Sequence, residues 1–461
     1  MANNIYVIDE SPGKSRTQTD DGSGKDWLIF QGSYALPTSI RLDGYVENGV
    51  SSQARGFFYH IGNWGTSLVV HGAIENASGS SGEDWISGNE LDNILYGDPS
   101  RDGAGDDDTL FGATGDDTIY GGAGRDDMGG ADGNDLLDGG AGIDTLSGGG
   151  GSDTLIGGAG ADSISGGADG TDWVFYTGSS AAVDVRLISG DTSTSFGGDA
   201  EGDRITGVNN VRGSDFNDKI TDLPESNAFN ANRFDGRDGH DLLKMGGGND
   251  TAYGGSGNDT IRGEDGNDRL YGDAGRDVIS GGAGRDRIFG GEGVNQLDGG
   301  AGNDTVTGGA QRDILYGGDG NDVLDGGEGN DLFFGNDGHD TLRGDAGDDV
   351  LIGSEGADRL FGGAGADEFK YIARGESAAG APHDLIADFS RAEGDKLNFD
   401  QVIATGTFIG TTAFSGQAGE ARFITTATGS RAFIDLDGDT RADFAVDVLG
   451  LSVLRASDFI L

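Results

Sequence analysis

Aspartate recurs every nine residues in two parts of this chain. Its carboxylate oxygens make it the residue of this sequence best suited to bind a ligand. In the unit "GGSGNDTIR" (254–262), three glycines precede Asp259 and Ile261 follows it by two positions. Ca²⁺ takes about six to eight oxygen ligands from carboxylates and backbone carbonyls. Mg²⁺ prefers water and a strict octahedron, whereas Zn²⁺ and copper favour His or Cys. The unit therefore predicts calcium sites.

The nine-residue spacing fills fifteen consecutive slots in the second part of the chain and seven in the first. The predicted metal ligands of the second part are Asp241, Asp250, Asp259, Asp268, Asp277, Asp286, Asp304, Asp313, Asp322, Asp331, Asp340, Asp349, Asp358 and Asp367. The predicted metal ligands of the first part are Asp84, Asp108, Asp117, Asp126, Asp135, Asp144, Asp153 and Asp162. Asp218, between the two parts, is predicted as a further ligand.

Two places in the sequence depart from the regular pattern. Asn295 occupies an Asp slot, and Gln311, two units on, replaces a turn glycine. Both residues lie on the same side of the predicted coil as Asp277 and Asp313. We therefore expect a gap there in the row of calcium sites, which we call the calcium ladder. Outside the repeats, "DLDGD" offers Asp435, Asp437 and Asp439 either as a further calcium loop or as an Asx-rich hairpin turn.

The repeat predicts an all-β coil. Six turn-forming residues alternate with three strand residues, and the middle strand residue is apolar in nearly every unit. Because side chains alternate along a strand, that residue points inward. Two units then form one eighteen-residue coil with a strand on each side, and coils stack about 4.8 Å apart. Same-side Asp carboxylates lie one coil apart and repel each other unless a cation lies between them.

The composition agrees with folding around cations. The chain has 461 residues, 92 of them glycine, and a formal net charge of -50. Such charge opposes compaction and makes nucleic acid or acidic membranes poor partners. Sixteen same-side Asp pairs predict roughly 16 Ca²⁺. There is no cysteine, hence no disulfide or thiolate site. We see neither an apolar run long enough to span a membrane nor a Sec signal peptide.

The unit Gly-Gly-x-Gly-x-Asp-x-Leu-x resembles the nonapeptide of RTX (repeats-in-toxin) proteins. The resemblance implies a right-handed parallel β-roll with Ca²⁺ in the turns, bound by Asp carboxylates and glycine carbonyls. It also implies export from a Gram-negative bacterium by the type I secretion machinery and folding on extracellular calcium. The strings "DLIADFSRAEGDKLNFD" and "AFIDLDGDTRADFAVDVLG" resemble the serralysin C-terminus, and the ending "DFIL" resembles a secretion tail.

Five regions are predicted from these patterns. They are an N-terminal irregular β-helical or capping region at 1–78, a first β-roll block at 79–171, an irregular β-helical insert at 172–232, a second β-roll block at 233–370 and a serralysin-like C-terminal module at 371–461.

No catalytic motif is found, and we predict that the chain is not an enzyme. The zinc-protease string His-Glu-x-x-His and the nucleophile elbow Gly-x-Ser-x-Gly are both missing from the sequence. Its five histidines are scattered: His60, His71, His240, His339 and His383. Carboxylate pairs for glycoside chemistry have no such string, so motifs leave that reaction open.

Two classes of function remain. The first is a non-catalytic structural or adhesive protein of the cell surface or matrix, such as a surface-layer, filament or adhesin component. The second is a secreted carbohydrate-active or carbohydrate-binding protein that uses the roll for folding and secretion. Phe57, Phe58, Tyr59, His60 and Trp64 form either a surface for surface polysaccharide or self-association, or a cap over the open end of a β-helix.

Overall fold

The structure is a computed structural model that describes residues 5–9, 27–31, 67–69, 76–79, 83–98, 105–187, 194–222, 231–373, 376–379, 382–403 and 405–461. The chain divides into two compact units, Met1–Ser226 and Asn227–Leu461. Apart from two short 3₁₀ helices, Gly198–Ala200 and Ala456–Asp458, the regular elements in these ranges are β-strands. None of the described helices could span a membrane. The aromatic segment around Phe57 lies outside the described residues.

In the first unit, parallel strands form two walls that we name front and back. The front wall comprises Ile5–Asp9, Trp27–Gln31, Asn76–Ser78, Ile94–Tyr96, Thr118–Gly124, Leu136–Gly142, Thr154–Ala159, Trp173–Phe175 and Asn210–Arg212. The back wall comprises Ser67–Val69, Trp85–Ser87, Thr109–Thr114, Asp127–Asp132, Thr145–Gly150, Ser163–Asp169 and Arg204–Thr206. Asp184–Leu187 and Lys219–Asp222 form a further parallel pair.

The second unit repeats this arrangement. Its front wall comprises Arg233–Asp235, Thr251–Ser256, Arg269–Ala274, Arg287–Gly291, Thr305–Gly309, Val323–Glu328, Thr341–Ala346, Arg359–Phe361 and Asp384–Ile386. Its back wall comprises Leu242–Lys244, Thr260–Asp265, Val278–Gly284, Gln296–Gly302, Ile314–Asp319, Leu332–Gly338, Val350–Gly356, Glu368–Lys370, Lys396–Asn398 and Phe459–Ile460.

Each coil advances by eighteen residues in the regular blocks. Thr305, for example, pairs with Val323, and Val323 pairs with Thr341. The single apolar residue of each nonapeptide points inward and is fully buried, as Leu324 and Leu342 are. Each such leucine gains about 1.5–3 kcal/mol on burial. The all-β class and the parallel coil predicted from the sequence are therefore confirmed.

The end of the second unit adds antiparallel strands to the solenoid. Glu420–Thr425, Gly429–Asp435 and Phe444–Leu449 form an antiparallel meander, and Thr407–Gly410 lies beside its first strand. Phe444–Leu449 also pairs in parallel with Asp384–Ile386, which belongs to the front wall. This second pairing joins the meander to the solenoid.

Candidate metal centre

The aspartates of the repeat stand in columns, one above another, at the turns of each solenoid. The backbone N–H of Asp304 donates to Oδ1 of Asp322 at 2.7 Å, and the N–H of Asp322 donates to Oδ1 of Asp340 at 2.8 Å. Each carboxylate is thus fixed by the backbone of the preceding coil. One column of the second unit runs through Asn232, Asp250, Asp268, Asp286, Asp304, Asp322, Asp340, Asp358 and Asp384.

The other three columns follow the same rule. The second column of that unit runs through Asp241, Asp259, Asp277, Asn295, Asp313, Asp331, Asp349, Asp367 and Asp395. The columns of the first unit are Asp84, Asp108, Asp126, Asp144, Asp162 and Asp203, and Asn93, Asp117, Asp135, Asp153 and Asp172.

The second carboxylate oxygen, Oδ2, is buried and accepts no hydrogen bond from any described group in nineteen of these repeats. They are Asp108, Asp117, Asp126, Asp135, Asp144, Asp153, Asp162, Asp259, Asp268, Asp277, Asp286, Asp304, Asp313, Asp322, Asp331, Asp340, Asp349, Asp358 and Asp367. A buried charged oxygen without a partner costs several kcal/mol. A regular series of such oxygens therefore indicates that a cation completes each site.

A glycine keeps the space beside each Oδ2 open. A Cβ on Gly317 would lie 2.6 Å from Oδ2 of Asp322 and 2.6 Å from the carbonyl oxygen of Gly335, one coil on. Gly317 is not among the residues with positive φ, so its backbone does not require glycine. The missing side chain instead leaves a cradle lined by a carboxylate and a carbonyl. This hard, oxygen-only donor set fits Ca²⁺.

Burial disfavours the charged form of these carboxyl groups. It raises the pKa of Asp340 and of Asp349 to about 7, and the charges of neighbouring Asp358 and Asp331 add to the two effects. At Asp108 burial raises the pKa to about 9. Protons and cations therefore compete for the same oxygens.

We expect the metal-free chain to lose stability as pH rises from about 5.5 to 7.5. Asp340 titrates near 3.8 when unfolded and at about 7 in the fold, so within this window the folded state binds more protons. Stability then falls as pH rises. Chelator-treated protein should retain more β signal in circular dichroism at pH 5.5, and light scattering controls for precipitation. A metal-free chain that is more stable at pH 7.5 would contradict this prediction.

Four aspartates of the columns were not predicted from the sequence. Asp172, Asp203, Asp384 and Asp395 accept the N–H of Asp153, Asp162, Asp358 and Asp367, respectively, through Oδ1. Their separations from those donors are 19, 41, 26 and 28 residues, so the nine-residue period does not reach them. Each is nevertheless followed two residues later by a buried apolar side chain, namely Val174, Ile205, Ile386 and Leu397. That pattern could have revealed them.

A tyrosine closes one column of the first unit. The hydroxyl of Tyr176 donates to Oδ2 of Asp203 at 2.8 Å. Oδ2 of Asp203 therefore has a hydrogen-bond donor, whereas Oδ2 of the repeat aspartates faces an open cradle. Tyr176 is fully buried, and burial raises its pKa well above the usual value. The hydroxyl therefore remains a donor at neutral pH, and the column ends at Asp203 with a hydrogen bond.

Asn295 keeps the column intact but changes the cradle. Its Oδ1 accepts the N–H of Asp277 at 3.0 Å, as an aspartate would. Its amide Nδ2 faces Gly290, and a Cβ added to Gly290 would lie 2.7 Å from this nitrogen. The same Nδ2 donates to the carbonyl oxygen of Gly293 at 3.4 Å. An N–H donor thus replaces the orphaned oxygen. This geometry agrees with the expected gap in the calcium ladder, which stays a prediction.

Replacement of Asn295 by Asp is expected to add one Ca²⁺. The substitution restores Oδ2 beside the Gly290 cradle, and one added ion at ten times its Kd stabilises the fold by about 1.4 kcal/mol. Native mass spectrometry would count the ions. Asn258→Asp is the matched control, because Asn258 is exposed and its Oδ1 accepts the N–H of Arg276, away from any glycine cradle. An unchanged ion count in Asn295→Asp would contradict the prediction.

The remaining predicted ligands occupy different surroundings. Asp84 is buried and is the first described member of its column, and its N–H donates to Asp108 Oδ1 at 2.7 Å. Asp218 accepts hydrogen bonds on both oxygens, from the N–H of Val183 at 2.8 Å and that of Ser214 at 2.6 Å. Both Asp218 oxygens therefore already serve the backbone, unlike those of the repeats.

The "DLDGD" segment forms a hairpin turn rich in Asx contacts. Asp435 accepts the N–H of Gly438 at 2.7 Å and that of Thr440 at 3.0 Å. Asp435, Asp437 and Asp443 bring carboxylate oxygens within 4.8 Å of one another. Asp439 lies outside this group and accepts the N–H of Arg441 at 2.8 Å. The local hydrogen bonds are those of an Asx-rich turn, and the further calcium loop stays a prediction.

A parallel solenoid with columns of orphaned carboxylates and glycine cradles defines a calcium-binding β-roll. The model of the RTX calcium-binding nonapeptide repeat, four copies long, matches residues 78–102, 102–137, 138–171, 245–279, 262–297, 271–306, 298–333 and 334–369. The chain therefore carries RTX calcium-binding repeats, and Ca²⁺ is the ion that they bind.

One solved structure similar to the chain is the solution structure of the AlgE6R3 subunit from the Azotobacter vinelandii mannuronan C5-epimerase. It is 29% identical over 33% of this chain and 78% of that chain, with a TM-score of 0.21. At that TM-score the likeness carries no argument about this chain. No curated protein matches the chain.

Proposed function

We propose that this chain is a secreted, non-catalytic protein that folds on extracellular calcium and has a structural or adhesive role at the cell surface or in the matrix. The observation that carries the proposal is the extent of the columns. Unbonded Oδ2 atoms recur from Asp108 to Asp162 and again from Asp259 to Asp367. Most of the described residues of each unit thus build a solenoid whose order depends on calcium, which suits a scaffold.

The secretion route is part of the same proposal. The sequence resemblance to the serralysin C-terminus supports export by type I machinery from a Gram-negative cell. Asp458 in the final "DFIL" segment accepts hydrogen bonds from Arg391, at 2.7 Å from Nε, and is buried. The secretion machinery could recognise a signal bonded in this way only before the C-terminal module folds. Low cytoplasmic calcium would keep that module unfolded.

The structural role is tested by electron microscopy and light scattering of calcium-loaded protein at rising concentration. Filaments or sheets that disperse on chelation would support it. Strictly monomeric protein at every concentration, on a grid and in solution, would contradict an assembling scaffold. The count of about 16 Ca²⁺ is tested separately by native mass spectrometry.

The second candidate is a secreted carbohydrate-binding protein. One observation favours it: a face of the second unit on which arginines and aromatic rings lie side by side, within a chain of net charge -50. A carbohydrate-binding protein would remain monomeric in the experiment above and would bind a glycan.

A further inference from the structure

The outer face of the front wall in the second unit concentrates positive charge. Side chains alternate along each strand, so residues on either side of a buried leucine or isoleucine point outward. The outward-pointing arginines of this wall are Arg233, Arg269, Arg287, Arg343 and Arg359. Only Asp235 and Asp325 are acidic at the corresponding outward positions of its strands from Arg233 to Phe361. The face is therefore net positive within a strongly acidic chain.

Two of these arginines lie directly opposite each other. Arg269 and Arg287 are register partners on adjacent strands and are both exposed. Strands are about 4.8 Å apart, and like charges directly opposite are destabilising. Neither arginine forms an ion pair with any described residue, although the chain has 80 acidic residues. An unpaired like-charge pair is an arrangement that an anionic ligand would relieve.

Aromatic rings form a ridge beside the arginine row. Tyr253 stacks on Tyr271 with centroids 4.9 Å apart, and Tyr271 stacks on Phe289 at 5.0 Å. The Arg233 guanidinium lies 4.9 Å from the centroid of the Tyr253 ring. Because the ring faces contact one another, the ridge offers edges and tyrosine hydroxyls to a ligand rather than a stacking platform. It gives the row a rigid wall on one side.

A second positive cluster lies further along the same face. The guanidinium groups of Arg343 and Arg359 lie 5.5 Å and 5.6 Å from the centroid of the Phe361 ring. Four strand steps separate Arg287 from Arg359, about 19 Å along the solenoid axis. Thr305 and Thr307 lie on the outer face between the clusters. The two clusters thus lie on one straight track, with threonine hydroxyls on either side of a middle strand that presents Val323 and Asp325, the latter opposite Arg343.

We propose that this face binds an extended anionic polysaccharide laid along the solenoid axis. Guanidinium groups bind carboxylate or sulfate in bidentate geometry, and a chain with one acidic group on every sugar would meet Arg269 and Arg287 in succession. Tyrosine hydroxyls beside the first cluster and threonine hydroxyls between the two clusters can bond sugar hydroxyls. The back wall of the same unit presents apolar Ile314 and Leu332 outward, and its Lys244 and Lys370 already have Glu264 and Glu368 as partners. The binding does not depend on the structural role proposed above.

The test is calorimetric titration of the calcium-loaded full chain with a linear uronic-acid decasaccharide. Arg269→Gln combined with Arg287→Gln is expected to weaken binding about tenfold or more, since charge-assisted bidentate bonds are among the strongest. The matched control is Lys244→Gln with Arg262→Gln, a basic register pair on the back wall in which Lys244 already has Glu264 as its partner. The control pair should leave affinity unchanged. Circular dichroism at the same calcium concentration establishes that each variant is folded.

The alternative outcomes each overturn the proposal. Equal binding by the arginine variants and the parent would mean that calcium bridges the glycan to exposed carboxylates. Equal binding of a single-stranded DNA oligonucleotide would indicate nonspecific attraction of polyanions. Binding of a neutral glucan decasaccharide as tight as that of the uronide would remove the role of charge. No measurable binding by the folded parent would also refute it, whatever the microscopy shows about assembly.

Discussion

Removal of calcium is expected to unfold both rolls. Without a cation, the nineteen buried Oδ2 atoms described above lack a partner, and the chain retains a net charge of -50. A single ion at ten times its Kd contributes about 1.4 kcal/mol, whereas a whole domain is stable by about 5–15 kcal/mol. Loss of about 16 such ions, roughly 20 kcal/mol together, therefore outweighs the stability of an ordinary domain.

The measurement is a calcium titration of chelator-treated protein, followed by circular dichroism and size-exclusion chromatography. We expect a cooperative gain of β signal and a fall in hydrodynamic radius at roughly 0.1–1 mM Ca²⁺, the range of extracellular calcium modules. Mg²⁺ at the same concentration is the control and should restore neither, because it needs a strict octahedron of smaller radius. Full β signal in excess chelator at pH 7.5 would show that the columns do not need a cation.

Alanine at Gly139 is expected to abolish one site and destabilise the first unit. The added Cβ would lie 2.6 Å from Oδ2 of Asp144 and 2.6 Å from the carbonyl oxygen of Gly157, closer than any carbon tolerates. The φ of Gly139 is not positive, so backbone strain does not contribute. Overpacking costs about 1–3 kcal/mol and loss of one ion about 1.4 kcal/mol. We expect the free energy of unfolding to fall by about 2–4 kcal/mol in saturating calcium.

Urea denaturation at fixed calcium measures this loss, and Gly178→Ala is the matched control in the same unit. Gly178 is exposed, and a Cβ there would meet no atom within 4 Å. The control should change stability by less than about 0.5 kcal/mol, as surface substitutions usually do. Equal effects of the two substitutions would show that the space beside Asp144 has no special role.

The regular blocks could be predicted from the sequence because every constraint there repeats. A nine-residue period fixes both the inward position of Leu324 and the turn position of Asp322, and the structure places them accordingly. The prediction stopped where the period stopped. At Asp172 one extra residue enters the turn, so that Gly149 pairs with Gly167 but Gly150 pairs with Asp169. The added residue shifts the count while the column continues.

The longer interruptions were hidden for a different reason. Asp203 and Asp384 follow turns of varied length, so no fixed spacing leads to them, and only the backbone register brings them beneath Asp162 and Asp358. Asp218 is the opposite case, an aspartate whose sequence matches the repeat but whose surroundings do not. Its Asp-x-Ile sequence matches the repeat, but Ser214 supplies donors to both of its oxygens. The sequence marks an aspartate at a turn, and its hydrogen-bond partners decide whether an oxygen remains for a cation.

Ca²⁺ is expected to bind in the columns, between the orphaned Oδ2 atoms and the glycine carbonyls. Anomalous diffraction from crystals grown in calcium tests it most directly. We predict a row of calcium peaks along each column, within about 2.3–2.6 Å of atoms such as Asp322 Oδ2, with no peak in the Gly290 cradle beside Asn295. Peaks confined to exposed carboxylates, or columns without any peak in crystals grown in saturating calcium, would contradict the account.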